Sequence, residues 1–94
     1  MNKIFVNVDF CNLEWGAMIK DSNLGIILFS APTYQELKRT GKKVIHDYIF
    51  WKSSEGEVFP DWIKLGKYSL VFRFDKSEHS EINEFIKENK RVSS

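Results

Sequence analysis

The stretch Ala31-Pro32-Thr33-Tyr34-Gln35-Glu36-Leu37, continued as far as Trp51, reads as the one long helix of the chain, and the other segments arrange themselves around it. Thr33 is a good N-cap and Glu36 follows three residues later. That is the capping-box spacing, in which each side chain satisfies an orphan backbone N–H at the helix start. Pro32 before the cap and Leu37 after it close the entry as a staple. The apolar positions Leu37, Val44, Ile45, Tyr48 and then Ile49 or Trp51 recur with a helical period of about 3.6 residues, and Gly41 falls on the same face. A glycine inside a helix costs about 1 kcal/mol relative to alanine, so a close neighbour is expected at Gly41. Lys38, Arg39, Lys42 and Lys43 occupy the opposite face. One side of the helix is therefore built for a core and the other for water, and a sheet is the expected owner of the core side.

Working outward, Ile4-Phe5-Val6-Asn7-Val8-Asp9-Phe10 alternates, with Ile4, Val6, Val8 and Phe10 on one side and Phe5, Asn7 and Asp9 on the other. It predicts a half-buried strand. Cys11-Asn12-Leu13 is a short turn. Trp15 to Ile19 predicts a second strand, with Gly16 as a bulge or a point of close approach. Asp21-Ser22-Asn23-Leu24-Gly25 is a cluster of turn formers. Ile26-Ile27-Leu28-Phe29 is continuously apolar, the pattern of a strand buried on both faces. Three short, closely spaced strands make an antiparallel meander the simplest arrangement.

Downstream of the helix, Lys52-Ser53-Ser54-Glu55-Gly56 is a polar breaker stretch. Pro60 at a first helical position, followed by Trp62, Ile63 and Leu65, predicts one short turn closed by Gly66. Tyr68-Ser69-Leu70-Val71-Phe72-Arg73-Phe74 is the clearest strand, with Tyr68, Leu70, Phe72 and Phe74 on one face. Asp75 and Glu78 have the spacing of a second capping box. They open a last helix with an Ile82, Phe85 and Ile86 stripe, an acidic face of Glu78, Glu81, Glu84 and Glu88, and a frayed end over Arg91 to Ser94. The expected fold is α+β, in the order β-β-β-α-β-α: a three-stranded antiparallel meander, one main helix, a fourth strand and a C-terminal helix. Residues 1–94 are expected to form a single domain.

Composition narrows the function classes. Hydrophobic residues make up 43% of the chain and aromatics 15%, enough for a packed core rather than disorder. Fourteen basic residues against 13 acidic ones leave a net charge of +1, without the basic excess of a dedicated nucleic-acid binder. A single cysteine, Cys11, cannot close an intramolecular disulfide and suits a reducing cytoplasm. The N-terminal residues lack a signal-peptide h-region. No apolar run approaches the roughly 18 residues of a membrane span.

The motifs for chemistry are sparse. Cys11, His46 and His79 lie far apart, with neither CxxC nor HxxxH spacing, so no metal site is expected. His46 is placed at the edge of the helix core. Cys11 reads as a small hydrophobe, since a nucleophilic thiol needs a base beside it. Asp9 is the only mid-sheet carboxylate, with Glu14 and Asp21 flanking the second strand; a two-metal nuclease site needs several such acids converging. The five glycines are scattered, so no phosphate loop and no cofactor is expected. Lys38, Arg39, Lys42 and Lys43 are either a solvent face or a contact for phosphate or an acidic partner. Trp51 and Trp62, beside Phe50 and Phe59, either finish a core under the polar loop or form an aromatic anchor for a partner.

Two local patterns carry a family resemblance. Thr33-Tyr34-Gln35-Glu36-Leu37 opens a helix after three short strands. Phe59-Pro60-Asp61-Trp62-Ile63 then leads through Gly66 into Tyr68, Leu70, Phe72, Phe74 and Asp75. Over roughly residues 4 to 76 this resembles the HicB-like antitoxins of bacterial type II toxin–antitoxin systems. Thr33 and Glu36 match that family's helix start. Pro60, Gly66, Tyr68, Leu70, Phe72, Phe74 and Asp75 match its second segment.

The resemblance implies a partial ribonuclease-H-like β-β-β-α-β domain without catalytic acids. It implies a non-enzymatic function: binding and occluding a small HicA-like toxin that cleaves mRNA. Trp51 and Trp62 would act as anchors, with Glu55, Glu57 and Asp61 facing basic toxin groups. It also implies a homodimer; the last strand, or the first, is expected at a sheet edge where a second copy could pair. Full antitoxins of this kind continue into a DNA-binding region, whereas this sequence stops at Ser94, so DNA binding is doubtful. The family often presents an acidic surface, and this chain is near neutral. The competing expectations are a stand-alone nucleic-acid-binding domain using Lys38, Arg39, Lys42 and Lys43, and a metal-dependent nuclease built around Asp9.

Overall fold

The computed structural model describes residues 2–74 and 79–93, with side chains described for 2–74 and 80–88. The elements are β1 (Asn2–Cys11), β2 (Glu14–Asp21), β3 (Gly25–Ala31), α1 (Tyr34–Ser54), α2 (Asp61–Lys64), β4 (Tyr68–Arg73) and α3 (His79–Ser93). The expected α+β class and β-β-β-α-β-α order are what the chain adopts. The sheet order is β3-β2-β1-β4. β1, β2 and β3 form the antiparallel meander, with Val8 opposite Ala17 and Ala17 opposite Phe29. β4 lies parallel to β1, with Ile4 opposite Leu70 and Val6 opposite Phe72. A parallel pair needs a long crossover. α1 is that crossover, carrying the chain from β3 at one edge to β4 at the other.

Local chemistry accounts for the elements. The Thr33 hydroxyl accepts from the Glu36 backbone N–H at 3.1 Å, and the first helical bond runs from Leu37 N–H to the Thr33 carbonyl. Both α1 and α2 end in Schellman motifs. Glu57 N–H bonds the Lys52 carbonyl and Gly56 N–H that of Ser53; Lys67 and Gly66 repeat the pattern on Trp62 and Ile63. Gly56 (φ +97°) and Gly66 (φ +70°) supply the left-handed residue each motif requires. The Asn12-Leu13 turn is also left-handed at both positions, as a two-residue hairpin demands; Asn12 tolerates this far better than Leu13.

Both faces of the sheet are used. Ile4, Val6, Val8, Ala17, Ile19, Ile27 and Phe29 bury against Leu37 and Ile45 of α1. At Gly41 the sheet comes so close that an added Cβ would stand 3.1 Å from Leu70 Cδ1 and 3.5 Å from the rings of Phe29 and Phe72. The expected close neighbour is therefore the sheet itself. The other face holds a smaller cluster in which Met18 packs with Ile82 and Ile86 of α3, flanked by Cys11 and Phe85. Gly16 is regularly paired with Asp9 and Ser30, so it is a point of close approach, not a bulge.

Three expectations are corrected. β3 is an edge strand buried on one face only: Ile27 and Phe29 are covered, while Ile26 is 57% and Leu28 36% exposed on the other face. Of the two strands expected at an edge, the last, β4, is at one, while β1 lies between β2 and β4 and is not half-buried. It is covered on its second face too, where Asn7 is 3% exposed and its Oδ1 accepts from Arg73 Nε at 2.8 Å. Arg91 to Ser93 continue α3 rather than fraying. The Asp75 and Glu78 capping pair lies outside the described residues.

Candidate functional site

The surfaces with binding character lie around the C-terminal half of α1. The Schellman turn at Gly56 folds the chain back so that the Lys52 ammonium becomes a hub. It sits 4.5 Å from the centre of the Trp51 ring and 5.9 Å from that of Tyr48, and lies 3.7 Å from a Glu55 carboxylate oxygen and 3.9 Å from one of Glu57. Trp51 is 55% exposed and its ring meets Tyr48 edge-on at 6.3 Å. Trp51, Glu55 and Glu57 are thus brought together. Trp62 and Asp61 stand on α2. Trp62 turns inward, half-buried against the main core with Tyr68 at 6.4 Å, and Asp61 pairs at 3.9 Å with Lys64. The two tryptophans therefore take different roles: Trp62 and Phe59 finish the core, while Trp51 and Phe50 face solvent.

Beside this surface, α1 and the α2–β4 turn enclose a groove in two adjoining parts. One, of about 260 Å³, is lined by Ile49, Phe50, Ser53, Ile63 and Lys64. The other, of about 400 Å³, is lined by Lys42 and Lys43. His46, Gly66 and Tyr68 line both. Of the basic stripe, Lys42 and Lys43 reach this groove. Lys38 instead holds its ammonium 5.1 Å from the centre of the Tyr34 ring, and Arg39 is exposed. His46 is not at the core edge as expected. Its side chain is exposed on the groove rim, with Nδ1 3.8 Å from Asp47 Oδ1.

Burial raises the Tyr68 hydroxyl above its ordinary pKa of 10.0. Below that pH the group is neutral in both folded and unfolded chains and stability is insensitive to it. Above it the unfolded chain ionises first, so stability is lost as pH rises towards the folded-state value. The expected result is a melting temperature that falls above about pH 10, and falls less in Tyr68→Phe; thermal melts followed across that range would show both.

The acids considered for metal chemistry stay apart. Asp9 and Glu14 lie on the sheet face that carries α3, while Asp21, on the other face, accepts from Asn23 N–H at 2.8 Å. Among the described residues no group of three or more His, Cys, Asp or Glu side chains is placed to hold a metal ion. Cys11 sits partly buried beside Met18, Ile82 and Ile86, in the company expected of a small hydrophobe. Among the described residues no helix is long and apolar enough to cross a membrane. No protein-family model matches the chain, and no curated protein or solved structure matches it either.

Proposed function

We propose that the protein is an interaction module of the HicB-like antitoxin type, which acts by covering the working face of a small, basic, mRNA-cleaving toxin. The observation that carries this is the Trp51 surface. A large aromatic side chain, more than half exposed, is fixed by a cation over its face, with Glu55 and Glu57 gathered around the same cation. Protein interfaces concentrate their energy in such anchors, a pre-positioned tryptophan within a polar rim. Lys52 partly neutralises the two carboxylates, and an incoming arginine or lysine can take its place on them. The four-stranded sheet with one crossover helix agrees with the β-β-β-α-β order that the resemblance implies.

The test mixes the purified chain with the ribonuclease encoded in the adjacent open reading frame and follows RNA cleavage. Stoichiometric inhibition is expected. Trp51→Ala should weaken it by roughly 30-fold, the equivalent of about 2 kcal/mol, with the melting temperature unchanged because Trp51 lies outside both buried clusters. Cleavage that continues undiminished at excess chain would remove the reading.

A further inference from the structure

We propose that the groove between α1 and the α2–β4 turn binds single-stranded nucleic acid, with Lys42, Lys43 and Lys64 on the phosphates and a base stacked on Phe50. The groove joins residues far apart in the chain into one basic surface: Lys42, Lys43 and Lys64 line it with no acidic residue among the lining, and Asp47 and Asp61 stand outside it beside His46 and Lys64. Phe50 stands at the same groove with its side chain 75% exposed, and Tyr68 forms part of the floor. Cations that track a backbone beside a solvent-facing ring are how proteins hold single strands, because every base offers a π-face. In a duplex those faces are already stacked on one another, so Phe50 would find no partner there.

Charge alone would equally admit an acidic peptide. The basic stripe extends beyond the groove to Lys38 and Arg39, a longer row than one or two carboxylates need and one suited to a polyanion whose charges recur along its length. Lys64 already lies 3.9 Å from the exposed Asp61 carboxylate, a surface pair of small energy that yields readily to a phosphate.

Fluorescence anisotropy with an end-labelled uridylate dodecamer at low salt reads the binding. Affinity is expected to fall with salt at a log–log slope of about −2, as three phosphate contacts on a single strand require. Lys42→Ala/Lys43→Ala/Lys64→Ala should lower affinity at least tenfold and flatten the slope. Phe50→Ala should lower it about fivefold or more and leave the slope as it was. All four side chains are exposed, so the variants should keep the wild-type circular dichroism spectrum and melting temperature. A thymidylate dodecamer tests whether the 2′-hydroxyl matters; equal binding assigns the site to single strands of either sugar. Four results overturn the proposal: no binding at low salt, binding indifferent to both variants, a duplex held as tightly as the single strand, or a Glu-rich, Phe-containing peptide held more tightly than the uridylate. The groove is separate from the Trp51 surface, so these results are independent of toxin inhibition.

Discussion

Replacing Gly16 by valine is expected to lift α3 off the sheet. A Cβ at Gly16 would stand 2.6 Å from Ile86 Cδ1, 2.7 Å from Ile82 Cγ2 and 2.9 Å from Ile86 Cγ1, closer than real carbon contacts approach. The Ile86 Cδ1 methyl can swing away. Ile82 Cγ2 is carried on Cβ, and an isoleucine in a helix strongly prefers one χ1 rotamer, so that contact is relieved mainly by shifting α3. Overpacking a tight core costs about 1–3 kcal/mol, and here the strain is relieved by releasing α3, which among the described residues is held on this face by the cluster of Met18, Ile82 and Ile86 with Cys11 and Phe85 beside it. The expected result is a loss of helical circular dichroism, a rise in dye binding to the uncovered face and a lower melting temperature, with the α1 side of the sheet intact. Gly16→Ala should show the same effect more weakly, and adding Ile86→Val, which removes the nearest methyl, should restore part of the loss. An unchanged helical signal in Gly16→Val would mean that α3 is not seated on this residue.

The same two faces explain what was legible in the sequence and what was not. α1 could be read because all its determinants are local: the Thr33 cap, the Leu37–Ile45 stripe and Gly41. β1 and β3 were harder, because alternation reports what a strand carries and not what lies over it. β1 alternates like a half-buried strand, yet its polar Asn7 is buried beneath the second face and satisfied by Arg73, a partner that exists only after β4 pairs alongside. β3 is apolar on both sides, yet Ile26 and Leu28 stay partly in water because it forms the sheet edge. Strand order decided both, and order depends on a crossover that no window of sequence contains. The tryptophans divide for a similar reason. Trp51 stands off the buried Leu37–Gly41–Ile45 stripe of α1 and stays out, while the chain reversal at Gly56 brings α2 back so that Trp62 packs inward, and periodicity does not register the direction of a turn. The basic groove needs Lys64 to come back beside Lys42 and Lys43, so only the stripe on α1 was visible beforehand.

Truncating Ile45 to alanine is expected to produce the largest loss of stability of any single change considered. Ile45 is fully buried on α1, in the cluster that joins the helix to β1, β2 and β3, one turn beyond the close contact at Gly41. Removing a buried isoleucine to Cβ loses its transfer energy and leaves a cavity, together about 2–5 kcal/mol. The wall opposite is a four-stranded sheet held by its own ladder, which cannot collapse inward as a loop would, so the cost belongs in the upper half of that range. For a domain of this size the loss corresponds to a fall in melting temperature of about 14–40 °C, a large share of a total stability of about 5–15 kcal/mol. Ile26→Ala is the internal control: the same side chain, more than half exposed on the edge strand, should cost less than about 1 kcal/mol. Urea unfolding of both variants gives the comparison directly. Equal losses at Ile45 and Ile26 would mean that α1 does not rest on the sheet through this stripe, and the layered arrangement that positions both Trp51 and the basic groove would fall with it.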